Sequence, residues 1–310
     1  MFTIAFYNLE NFFDTIDDPH TDDDAFTPHG IMHWFYKRYR NKHRKIAKTI
    51  LRIGKRETRK PPVLMGLAEV ENDTVLDDLT KELRRKGYTY RYVHYESADR
   101  RGMDTALLYN PDYFRISYSK PYPVELRNNA GEPYFTRDIL YCRGELSGEP
   151  VHIFVNHWPS QREGYMESEH KRRTAAERLK EQIDFLRYAE PEANIIIMGD
   201  FNTNPDDIIF REMFNNEFRN FALQAYRNGK ASLYHDEQKM LFDQIIVSKS
   251  LIEHSSFLFR GFKVFNPRFL RTWKRRFSFL PFRTYLKLKY QNGYSDHFPV
   301  YCIFEKKQVL

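Results

Sequence analysis

The alternation of apolar and polar positions divides the chain into short strands with helices placed between groups of them. Thr3–Leu9 alternates as a half-buried strand does, and Val63–Ala68 is a continuous apolar run suited to a strand buried on both faces. Between them, Ile46, Ala47, Ile50, Leu51 and Ile53 recur at helical spacing, which predicts a helix over Asn41–Ile53. A second helix is predicted over Thr74–Lys86, opened by an Asp-Thr cap region and stopped by Gly87. Strands are then expected at Tyr88–His94, Thr105–Tyr109, Phe114–Tyr118, Ile139–Leu146 and Val151–Asn156, divided by turn residues such as Asn110-Pro111 and Gly148-Glu149-Pro150. A long helix over Ser168–Tyr188 precedes a buried strand at Asn194–Met198, a short helix after Pro205, and strands near Phe242–Val247 and Pro299–Phe304.

No Gly-, Ser- or Pro-rich linker, repeat or low-complexity tract interrupts this series, so residues 1–310 are expected to form one domain. The pattern suits an α/β fold of two mixed sheets packed face to face with helices outside. No apolar run approaches the roughly 20 residues of a membrane span. The first residues lack the features of a signal peptide and read as a core strand, which makes a cytoplasmic, monomeric protein the expectation. Cys142 and Cys302 are too few and too far apart for a disulfide framework or a zinc site and are expected to be reduced.

Charge changes the picture by pointing to an anionic partner. The net charge is +7, with a dense basic run at residues 37–60 and ten Lys or Arg without any Asp or Glu over 260–289. The balance favours nucleic acid or phospholipid, whereas the run at 37–60 fits a solvated face equally well.

Five motifs share one property: each sets a polar or acidic residue at the end of an apolar strand, where strands of a sandwich converge on one rim. They are Tyr7-Asn8-Leu9-Glu10-Asn11, Leu67-Ala68-Glu69-Val70-Glu71-Asn72, Asn156-His157-Trp158-Pro159, Gly199-Asp200-Phe201-Asn202 and Ser295-Asp296-His297-Phe298-Pro299, with Asp243 at a strand start. Oxygen-rich sets of this kind suit a hard cation such as Mg²⁺ or Mn²⁺, with Glu69 as the leading ligand and Asn8, Glu10 and Asp296 as inner- or outer-sphere partners. Asp200 and Asn202, two apart after a buried strand, are expected to point to the same side in extended geometry. A carboxylate there can orient or deprotonate water while the amide donates to a phosphoryl oxygen. His157 and His297 can each bond a phosphate oxygen or move a proton. Taken singly, each residue has a plain structural reading: an Asp-His pair, an ion-paired Glu, or an Asx turn closing a strand.

The ordered set resembles the endonuclease/exonuclease/phosphatase superfamily, whose fold is that of pancreatic deoxyribonuclease, from YNLEN at 7–11 to SDHFP at 295–299. The resemblance implies a four-layer α/β/β/α sandwich, a Mg²⁺ or Mn²⁺ cofactor, Glu69 as metal ligand and Glu10 as a contributing acid. It implies that Asp243 braces a catalytic His297 beside Asp296, that Asp200 and Asn202 form the Asp-x-Asn pair, and that Asp104 is the acid paired with His157. Arg137, Arg162 and Arg173 are candidates to clamp phosphate, with surface ion pairing as the alternative. The expected activity is metal-dependent hydrolysis of a phosphodiester, with nucleic acid the leading substrate. The basic aromatic segment Phe265–Tyr290 supports that choice. A phosphomonoesterase or lipid phosphodiesterase, with Phe277–Phe282 touching a membrane, is the second reading, and an inactive binding module the third.

Overall fold

The long apolar strands pair into two six-stranded mixed sheets in a computed structural model, which describes residues 1–307 apart from positions 129, 163, 215–216, 236 and 274, and leaves the side chain of 275 undescribed. The first sheet runs, edge to edge, Phe257–Val264, Val300–Lys306, Phe2–Phe12, Leu64–Val70, Asp104–Tyr109 and Arg91–His94. The second runs Phe114–Arg127, Pro133–Leu146, Glu149–His157, Ile195–Asp200, Asp243–Ser248 and Phe218–Asn220. Phe2–Phe12 pairs in parallel with Leu64–Val70, as Glu149–His157 does with Ile195–Asp200, and the remaining pairings within these sheets are antiparallel.

Side-chain alternation assigns each face of each sheet to a different layer. Ile4, Phe6 and Leu107 of the first sheet meet Val155, Met198 and Ile245 of the second in a core between the sheets. Ala5, Tyr7 and Met65 point the other way, onto Ile46 and Leu79 of the helices Tyr36–Ile50 and Asp73–Arg85. Ile195 and Ile197 face Leu179 and Ile183 of the helix Tyr165–Ala189. The result is the expected helix–sheet–sheet–helix sandwich. The sheets approach closely at Gly66, where a Cβ would lie 2.6 Å from Met198 Sδ. No helix of the described residues is long and apolar enough to cross a membrane.

The predicted elements are present, and several are longer or shifted. The first helix begins at Tyr36 and ends at Ile50, ahead of Gly54, whose φ of +65° is left-handed. The helix Asp73–Arg85 is capped by Asn72, whose side chain accepts from the Val75 N–H. Phe114–Arg127 and Pro133–Leu146 form a hairpin well beyond the predicted strands, and Phe257–Val264 is an edge strand that periodicity did not pick out.

Four strand ends carry the expected chemistry to one rim, and the backbone breaks there. Glu10, Asn11, Glu69 and Asn202 all have φ between 49° and 59°, the left-handed region that non-glycine residues seldom occupy. Register shifts between Asn8 and Phe12, and between Ala68 and Val70, accompany them. These irregularities re-aim polar side chains that a regular strand would send alternately into the two core layers.

Candidate active site

Asp200, the last residue of a central strand, is the hub of the site. Asn8, where the register of the strand Phe2–Phe12 in the opposite sheet begins to shift, donates from Nδ2 to Asp200 Oδ2 at 3.0 Å, tying the two sheets at their rim. The Asn202 N–H donates to Asp200 Oδ1 at 3.0 Å. His157 Nε2 and His297 Nε2 each lie 3.8 Å from Asp200 Oδ2. Behind His297, its Nδ1 donates to Asp243 Oδ2 at 2.7 Å. Asp243 sits directly across from Asp200 in the antiparallel register of their strands, which explains why the two acids and the histidine form a unit.

Burial and charge give these groups different proton affinities. Burial, opposed by His297 and aided by Asp243, raises Asp200 to about 7. Burial disfavours the cation of His297, but Asp243, by charge and hydrogen bond, outweighs it and holds His297 well above the usual histidine range. His157 goes the other way: burial, followed by the Arg137 guanidinium, holds it well below that range. The site therefore sets a charged and a neutral imidazole each 3.8 Å from the same oxygen of a carboxyl poised near neutrality.

Glu69 occupies an adjacent station. Its Oε2 accepts from the Asn11 N–H at 2.6 Å, and Asn11 Oδ1 accepts from Arg101 at 2.6 Å. Burial would raise Glu69, but Arg101, His157, the Asn11 hydrogen bond and Arg137 outweigh it and hold the carboxyl down at about 2. It is ionised at any working pH.

Glu10 and Asp296 are committed to other contacts. Arg283 reaches Asp296 Oδ2 at 2.8 Å and Glu10 Oε1 at 3.4 Å. The Thr284 N–H donates to Glu10 Oε2 at 2.5 Å, so Glu10 pins the segment that carries Arg283. Beneath it, Lys42 donates to Glu10 O at 3.1 Å, to Tyr294 O at 2.7 Å and to Thr284 Oγ1.

Three expectations change. Asn202 does not share a face with Asp200 in extended geometry, because the strand ends at Asp200 and Asn202 is left-handed. Its N–H closes an Asx turn on Asp200 and its Nδ2 donates to Trp158 O at 2.9 Å. Asp104 accepts from the Ser97 N–H at 3.1 Å and from the Ser97 hydroxyl, and lies 3.4 Å from His94 Nε2, so its histidine partner here is His94. Arg173 is held by Glu169 and Glu212 in a surface ion-pair network. Arg137 is buried beside Asp99, while the charges of Arg101 and Glu69 act on Arg162.

Sequence reasoning passed over Lys42, Arg101 and Arg283. Lys42 had a signal: Tyr39, Lys42, His43, Ile46 and Ile50 fall on one buried helical stripe, so that lysine belonged to the core side of the basic run. Arg101 and Arg283 lie in loops rich in arginine, where spacing does not separate one guanidinium from its neighbours.

The donors suit a hard divalent cation. Glu69 is ionised, and Asp243 Oδ1 is buried without a hydrogen-bond partner. Among the described residues, Asp200, Asp243 and His297 form one group close enough to share an ion, their donor atoms within 4.8 Å of one another. Glu69, in the adjacent station, is a further ionised oxygen donor that could hold such an ion.

A sequence profile described as the Endonuclease/Exonuclease/phosphatase family matches residues 3–306. No curated protein sequence matches the chain significantly. Among solved structures, an endonuclease/exonuclease/phosphatase family protein from Bacteroides thetaiotaomicron is similar, with a TM-score of 0.62 and 17% identity over 98% of this chain and 97% of that one. A mannosyl-6-phosphatase of Bacteroides thetaiotaomicron VPI-5482 gives 0.61 at 16% identity, covering 98% of this chain and 100% of its own. A D. rerio TDP2 complexed with a single-strand DNA product gives 0.55 at 13% identity, covering 98% and 99%.

Proposed function

The chain belongs to the endonuclease/exonuclease/phosphatase family, and from that premise we propose that it is a divalent-metal-dependent phosphodiester hydrolase acting on nucleic acid. The observation that carries the reading is the convergence of Asn8, His157 and the His297–Asp243 pair on Asp200.

In this reading water attacks phosphorus in line with the leaving oxygen. Asp200, raised to about 7 and fixed by Asn8 and the Asn202 N–H, orients that water and takes its proton. His297, kept cationic by Asp243, donates from Nε2 to a phosphoryl oxygen and offsets the charge that builds in the transition state. His157, kept neutral by burial and Arg137, donates a second hydrogen bond to the phosphoryl group beside Asp200. Glu69 would hold the Mg²⁺ or Mn²⁺ ion, which supplies Lewis-acid neutralisation of the phosphoryl oxygens.

The net charge of +7 supports a polyanionic substrate, as does the likeness to a TDP2 complexed with single-strand DNA product. The comparable likeness to a mannosyl-6-phosphatase supports a second reading, a phosphomonoesterase on a phosphosugar. A panel of single- and double-stranded DNA, RNA, bis-p-nitrophenyl phosphate, phospholipids and sugar phosphates, run with Mg²⁺, Mn²⁺ and a chelator, separates the two. Cleavage of polynucleotide with metal is expected. Turnover of sugar phosphate alone would overturn the nuclease reading.

A further inference from the structure

Beside the Asp200 centre lies a cleft of about 560 Å³, within the size range of small-ligand sites. Four of its lining side chains are cationic, Arg100, Arg101, Arg137 and Lys171, against Asp99 in the lining and Asp22, which pairs with Arg100 at 2.9 Å. Phe135, an exposed ring, adds an aromatic side chain to the lining. Two links tie the cleft lining to the reacting centre. Arg101 bonds Asn11, whose N–H holds Glu69, and the lining residues Pro159 and Ser160 follow His157 by two and three positions.

Arg137 is the feature that a solvated basic surface does not explain. It is 8% exposed, and its buried Nε has no hydrogen-bond partner. Asp99 Oδ2 is 3.4 Å away without hydrogen-bond geometry. A buried guanidinium donor left unmatched is costly unless a ligand completes it. Phosphate oxygens, recognised by a planar fork of N–H donors, are its natural complement.

We propose that this cleft is a subsite for a second phosphate of the substrate, bound by Arg137 with Arg101 and Arg100 while the scissile phosphate lies at Asp200 and Glu69. The inference rests on the hydrolase reading above for the place of the scissile group. The second phosphate comes either from the neighbouring linkage of a nucleic acid strand or from a small bisphosphate. Phe135 favours the strand, because a base stacks on an aromatic face.

The test is calorimetric binding to the full chain in chelator, so that turnover does not intrude. The probes are adenosine 3′,5′-bisphosphate against adenosine 5′-monophosphate, and fructose 1,6-bisphosphate against fructose 6-phosphate. At least one bisphosphate should bind tenfold or more tightly than its monophosphate. Arg137→Gln should bring that ratio close to one, Arg137→Lys should keep part of it, and Arg100→Gln, at the exposed rim, should lower it two- to fivefold. A nucleoside advantage that falls in Phe135→Ala supports the strand as source, whereas an advantage confined to the sugar pair supports the subsite and assigns it to a small bisphosphate. Equal binding of mono- and bisphosphates by the wild type, or an unchanged ratio in a folded Arg137→Gln, overturns the subsite. A preserved ratio in a protein that cleaves no phosphate ester would sink the hydrolase reading and leave the subsite standing.

Discussion

His297 Nδ1 donates to Asp243 Oδ2 at 2.7 Å, and both side chains are buried at the junction of the two sheets. The carboxylate fixes which ring nitrogen faces Asp200 and keeps the ring charged against the penalty of burial. Replacing Asp243 with Asn removes the charge while keeping the shape. Asp243→Asn is expected to lower kcat on bis-p-nitrophenyl phosphate by about 10²–10⁴-fold and to move the His297 titration, followed by NMR, downward. A loss smaller than threefold with an unmoved His297 would mean that Asp243 neither orients nor charges that ring.

Asp200 links the same site to stability. Its carboxyl titrates near 7 in the folded chain, against about 3.9 when unfolded, so the folded state binds more protons between those values. The stabilisation it brings is fully present below about pH 4 and is lost as pH rises through 7. His297, also raised, has the same sign: its stabilisation is present below about pH 6.5 and lost as pH climbs through its folded value. In chelator, the wild-type urea midpoint should fall between pH 5.5 and 8 by more than that of Asp200→Ala. Parallel pH profiles for the two proteins would contradict the assignment.

Alternation and helical spacing carried the layers of the sandwich, since Ala5, Phe6 and Tyr7 read directly as outer face, inner face and outer face. Strand-end placement brought Asn8, His157, Asp200, Asp243 and His297 together on one rim. The same logic failed at Asn202, where a left-handed residue turns the chain out of strand geometry and a period-two argument no longer applies. It also could not resolve which cation serves the site. Arg101 and Arg283 are distinguished from dozens of others by long-range contacts, which local sequence does not encode, whereas the helical stripe marks Lys42 as buried without naming its partners.

Lys42 exemplifies such a contact. Its buried ammonium joins the first helix to Glu10, Thr284 and Tyr294, segments far apart in sequence. Lys42→Met removes the donor and leaves those acceptors unmatched, an expected loss of about 3 kcal/mol in urea unfolding. Because Glu10 pins the Arg283 segment, activity should fall with it. A loss below about 1 kcal/mol would mean that the lysine behaves as an exposed ion pair.

Arg173 supplies the contrasting case. Its partners Glu169 and Glu212 are partly exposed, and exposed ion pairs contribute roughly 0–1 kcal/mol. Arg173→Ala should leave kcat/KM within twofold and the unfolding midpoint nearly unchanged. A large rise in KM would restore it as a phosphate contact.

In the proposed mechanism, Glu69 separates metal binding from the rest of the machinery. It is ionised through the charge of Arg101 and His157 and the Asn11 N–H, which overcome burial. Glu69→Gln keeps an oxygen that accepts from Asn11 but removes the negative charge a hard cation needs. Mn²⁺ binding, followed by the loss of the free-ion electron paramagnetic resonance signal, should weaken by tenfold or more, and turnover should fall with it at fixed metal. Raising Mn²⁺ should recover part of the rate in Glu69→Gln and none in Asp243→Asn, because only the first variant lacks affinity for the ion. Unchanged Mn²⁺ binding in Glu69→Gln would move the anchor to the Asp200–Asp243 pair, whose free Asp243 Oδ1 is the remaining buried oxygen donor of the group.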